Sequence, residues 1–76
     1  MNNTRRKALN ALKEQIEELK SSLEELRDEE EDYRDNIPEN LQGSERYEKA
    51  EEACDELDSA VSNLEDAISS IESAIE

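Results

Sequence analysis

The chain has 76 residues, a formal net charge of −14, 42% charged residues and 33% hydrophobic ones. That length bounds it to one small domain. The acidity excludes nucleic acid and anionic membrane surfaces as natural partners, and points to basic protein surfaces or further copies of the same chain.

The chemistry of catalysis is not represented. There is no histidine, one cysteine and one glycine, so neither a nucleophile–base pair nor a phosphate-binding loop can be assembled. The expectation is a non-enzyme with no cofactor and no metal. No stretch approaches the roughly 20 apolar residues that span a bilayer, and the start, MNNTRRKALNAL, lacks the apolar run of a secretory signal. A single cysteine, Cys54, makes no internal disulfide, so the chain suits a reducing compartment and cytoplasmic is the expected location. The sequon Asn2-Asn3-Thr4 is then idle.

Such a composition would also suit a disordered acidic chain, but the apolar residues are periodic. Helix 1 is expected from about residue 4 to 36. Its apolar positions are Leu9, Leu12, Ile16, Leu19, Leu23, Leu26, Tyr33 and Ile37, at spacings of three and four. With Leu9 at heptad position a, the only departure is Glu30, an a position expected opposite Leu57. It would snorkel to Arg34 or Arg27, or serve to fix register. Position e holds Lys13, Lys20, Arg27 and Arg34. Glu17, Glu24 and Glu31 precede the last three by three residues.

The heptads stop at NIPENLQGSERY, and an elbow is expected over residues 37–44. Pro38 disfavours a helical Ile37, PENL has the composition of one short turn, and Gly43 with Ser44 resets the chain. Ser44 is the expected N-cap of helix 2. Asn40, Leu41 and Gln42 exceed what a helix–helix connection needs, which makes them candidate partner contacts at the tip.

Helix 2 is expected from about 45 to 75, with Tyr47, Ala50, Cys54, Leu57, Val61, Leu64, Ile68, Ile71 and Ile75 as its apolar repeat. Its e positions are Glu51, Asp58, Glu65 and Glu72. In an antiparallel pair e faces e, and Arg34–Glu51, Arg27–Asp58, Lys20–Glu65 and Lys13–Glu72 then align at a single register. The core layers Leu12–Ile75, Ile16–Ile71, Leu19–Ile68, Leu23–Leu64, Leu26–Val61, Tyr33–Cys54 and Ile37–Ala50 support the same register. The fold expected is therefore all-α, one domain over 1–76, an antiparallel two-helix coiled-coil hairpin.

A two-helix hairpin buries one stripe per helix and is marginal alone. Position g of helix 2 reads Ala53, Ala60, Ala67 and Ala74, and helix 1 adds Ala8 and Ser22. These small residues form a candidate self-association face, on which two hairpins would make a homodimeric four-helix bundle. The acids of helix 1, among them Glu24, Glu25, Asp28, Glu31 and Asp32, lie on outer positions. They are either a solvated face or a surface that occupies a basic site on another protein, as a nucleic-acid mimic would.

The segment PENLQGSERYE, followed by an Ala-rich acidic heptad helix, resembles small acidic helical-hairpin proteins of Gram-positive gut bacteria and their phages. The resemblance covers the second half of the chain, brings no assigned activity and carries over no functional residue. It implies a cytoplasmic protein, with a mobile-element origin favouring an inhibitor of a host enzyme or defence protein. The functional expectation is a self-associating protein-interaction module. The alternatives are an inhibitor that blocks a basic site on a host protein, and a structural spacer or assembly factor.

Overall fold

A computed structural model describes residues 1–76. It consists of two long antiparallel helices and no strand, packed as a hairpin: α1 (Asn3–Asp35) and α2 (Glu45–Ile75), with a one-turn 3-10 helix at Glu39–Leu41 between them. The hairpin register expected from the sequence is the one observed. The molecule is a rod of 59 × 15 × 13 Å with a radius of gyration of 17.3 Å. A compact domain of this length would have a radius near 11 Å.

Local signals account for the helix boundaries. α1 is started by Asn2, whose side-chain Oδ1 accepts the Arg5 backbone N–H at 2.7 Å. It ends where Pro38 lacks a donor and biases Ile37 away from the helical region. The chain tightens there, with the Ile37 N–H donating to the Arg34 carbonyl at 3.2 Å. Leu41 N–H then donates to the Pro38 carbonyl at 2.8 Å and Ser44 N–H to the Leu41 carbonyl at 3.0 Å, which closes the elbow. Ser44 caps α2, its hydroxyl accepting the Tyr47 N–H at 3.4 Å. Glu45 and Glu48 occupy the first turn of α2, where carboxylates oppose the positive end of the helix dipole.

Gly43 sits at the turn without a left-handed backbone. No residue of the chain has a positive φ. A Cβ added at Gly43 would meet nothing within 4 Å. The reversal is made by the 3-10 turn and the Ser44 cap, not by glycine's conformational freedom.

The core is asymmetric. Its buried residues are Ile37, Ala50, Cys54, Val61 and Ile68, four from α2 and none from α1. Ile37 and Ala50 close the elbow end as their register requires. Along α1, the d positions expected in core layers are instead turned to solvent: Leu12 is 50% exposed, Leu19 64%, Leu26 57% and Tyr33 42%. The half-buried positions of α1 are a and e, joined toward the elbow by Glu24 and Glu31 at b.

The cause lies in the e cations. Lys13, Lys20, Arg27 and Arg34 have side chains only 22–25% exposed, their stems lying along the seam. With one neighbouring helix to face, α1 rotates so that these stems cover α2, and the d leucines swing to the opposite side.

Candidate interaction surface

The two flanks of the rod differ in chemistry. One flank is closed by charge. Lys13 Nζ lies 3.7 Å from Glu72 Oε1, Lys20 Nζ 3.4 Å from Glu65 Oε1, and Arg27 Nη1 3.4 Å from Asp58 Oδ1. The fourth expected pair does not form. Arg34 turns to the adjacent Asp35 at 3.1 Å, and Glu51 is left in solvent. Arg34 sits in the last turn of α1, where the neighbouring carboxylate costs less side-chain ordering than a reach across the seam. Each exposed pair contributes about 0–1 kcal/mol, so this flank sets register more than stability.

The i,i+3 pairs expected within α1 are also replaced by others. Arg27 contacts Asp28 at 3.3 Å and Glu31 at 3.9 Å, and in α2 Lys49 meets Glu45 at 3.0 Å. Glu30 is half-buried but gains neither arginine, since Arg27 and Arg34 are drawn to other acids. Its expected snorkelling salt bridge is absent.

The opposite flank is open and apolar. Leu12, Leu19 and Leu26 stand along it from α1 at one-turn-in-two spacing. From α2 the g positions Ala53, Ala60 and Ala67 border it half-buried, and Ala74 is exposed. Of the α1 residues expected to share the association face, Ala8 and Ser22 are exposed. Side chains this small on α2 leave a low strip beside the leucine ridge of α1. The g alanines could be picked out from the sequence; the leucines could not, because their heptad letter assigned them to the core.

At the elbow the open flank ends in a contact that heptad counting misses. Arg46, at the first g position of α2, donates from Nε to the Tyr33 hydroxyl at 2.6 Å. Its guanidinium carbon lies 5.1 Å from the ring centroid. The combination of cation over ring and N–H to hydroxyl clamps the end of α1 to the start of α2. The available signal was a d-position aromatic facing a g-position arginine across the turn.

The tip residues and most of the acids singled out in α1 lie at the surface. Asn40, Leu41 and Gln42 are exposed, Leu41 at 46%. Of the acids singled out in α1, Glu25 and Asp32 are exposed, Glu24 is half-buried, and Asp28 and Glu31 share Arg27. The carboxylates do not converge in any group that could hold a metal ion. The surface has no pocket.

Cys54 lies at the seam, 1% exposed and free. Burial pushes its thiol pKa up; Arg34 pulls it down in part, and Glu31, Glu30 and Asp58 add to the rise. This is the setting of a core residue rather than of a reactive thiolate.

No helix of the chain is long and apolar enough to cross a membrane. No protein-family model matches the chain, and no curated protein or solved structure matches it.

Proposed function

We propose that the protein is a self-associating interaction module in which two hairpins pack through their open flanks into a four-helix bundle. The observation that carries this reading is the row Leu12, Leu19 and Leu26, each half exposed or more, beside the alanines of α2. Large apolar side chains repeated along one line, bordered by small ones, are the makings of a helix–helix interface. A face of 59 × 15 Å sets a ceiling of roughly 800–900 Å² in projection, so reaching the ~800 Å² per partner of a standard stable interface requires contact along the full length of the rod. Sedimentation equilibrium over a wide concentration range tests it. The wild-type chain should be a dimer that Leu26→Glu, or Ala60→Glu with Ala67→Glu, converts to a helical monomer. A folded wild-type monomer at every concentration would overturn the reading.

One observation favours a second reading, an acidic ligand for a basic protein surface. Residues 24–58 hold 16 of the 23 acids and four of the nine bases, so they carry −12 of the net −14. Salt separates the two. Capture of a basic partner weakens as salt rises, whereas association of two like-charged copies through an apolar flank strengthens.

A further inference from the structure

We infer that the two copies lie antiparallel, each elbow beside the open end of the other, with the two elbows at opposite ends of the bundle. This rests on the self-association reading and adds the orientation. The leucine ridge permits it. Leu19 is the midpoint of α1 (Asn3–Asp35) and its most exposed leucine. A two-fold axis at Leu19 therefore lays the ridge fully on itself, Leu12 of one copy level with Leu26 of the other.

Charge selects the orientation. The elbow half carries −12, while the remaining residues carry −2 and include Arg5, Arg6 and Lys7 close together. Arg5 and Lys7 are exposed, and none of the three has a carboxylate partner; Arg6 Nη1 donates to Asn3 Oδ1 at 3.2 Å. A parallel dimer sets the two −12 halves side by side, and the two basic clusters likewise. The antiparallel dimer brings Arg5–Lys7 level with carboxylates whichever helix of the second copy lies alongside: Glu30–Asp35 on α1, or Glu51–Glu56 on α2.

The open flank itself has the same polarity. It runs from Arg5, Ala8 and Ala11 to Glu25, Glu29 and Asp32 on α1, and from Ala74 and Ser70 to Glu56 on α2. The two bases near the elbow on this flank are already engaged, Arg46 with Tyr33 and Lys49 with Glu45.

The test measures the distance between elbows. A spin label at Gln42→Cys, in a Cys54→Ala chain shown to keep its helicity and mass, reports the elbow-to-elbow separation in the dimer. Antiparallel copies should give on the order of 50 Å, set by helix length. A separation below about 25 Å, which two adjacent elbows would give, overturns the orientation and leaves self-association standing. No intermolecular distance, with a monomer mass for the wild-type chain, overturns both.

If the background substitution disturbs the dimer, charge neutralisation in the native-cysteine chain decides. The triple variant Arg5→Gln, Arg6→Gln, Lys7→Gln should weaken the dimer at least tenfold. An unchanged or tighter dimer, as relief of repulsion between parallel basic clusters would produce, overturns the proposal.

Discussion

Leu19 separates the two accounts of where the leucines of α1 reside. The heptad register places it in a core layer opposite Ile68, while the structure leaves it 64% exposed. Fully burying a leucine is worth about 1.5–3 kcal/mol. With about a third of that realised inside one hairpin, Leu19→Ala should cost a dilute monomer only about 0.5–1 kcal/mol. Val61 is 4% exposed, and Val61→Ala should cost about 1.5–3 kcal/mol under the same conditions. The remaining two thirds of Leu19 is available for association, about 1–2 kcal/mol per copy and twice that per dimer. That corresponds to a dissociation constant raised roughly 30- to 1,000-fold. Urea unfolding followed by far-UV circular dichroism, at one concentration below and one above the dimer transition, reads both quantities. A Leu19→Ala loss equal to that of Val61→Ala in the dilute monomer would refute the rotation of α1. An unchanged dimer would refute the role of the ridge.

Three further outcomes follow from the geometry. Gly43→Ala should raise stability by about 0.4–1 kcal/mol in a thermal melt, because the backbone at that position is open to any residue and the added methyl meets nothing. Lys20→Met and Glu65→Gln should show a salt-sensitive coupling within about 1 kcal/mol in a double-mutant cycle, while Arg34→Met and Glu51→Gln should show none. Cys54 in the folded chain should react with a thiol reagent only as fast as the hairpin opens. Its folded pKa lies above the unfolded value of about 8.5, so the stability it contributes is complete below that pH. It is lost as pH rises through the folded value, and Cys54→Ala should flatten that part of the stability–pH curve.

The sequence made the hairpin readable because charge and apolar pattern specify the same alignment. A one-residue slip would break Lys13–Glu72, Lys20–Glu65 and Arg27–Asp58 together, and would also misplace Ile37 against Ala50. Helix rotation is a different quantity. Heptad letters point the a/d stripe straight at the partner helix, whereas α1 is turned so that a and e face α2 and d does not. Its e side chains have long aliphatic stems, so turning them inward covers apolar surface and satisfies charge in the same motion. Nothing in the spacing of Leu12, Leu19 and Leu26 reveals that trade. The Arg46–Tyr33 clamp was hidden for a related reason, since it joins positions whose nearness depends on the path of the elbow. Glu51 illustrates the converse: its letter matched Arg34, but Arg34 found Asp35 nearer.

The clamp at the elbow also determines what spectroscopy can see. Tyr33 and Tyr47 are the only aromatic residues of the chain, and both lie at the elbow end of the rod. Near-ultraviolet absorbance and tyrosine emission therefore report one end of the molecule, while far-ultraviolet dichroism averages over both helices. Fraying that begins between Asn3 and Ile75, where α1 and α2 have no connecting turn, will lower the helical signal while the tyrosines remain unchanged. The lag between the two signals on heating is thus a direct reading of how far unfolding has travelled along the rod before it reaches the turn.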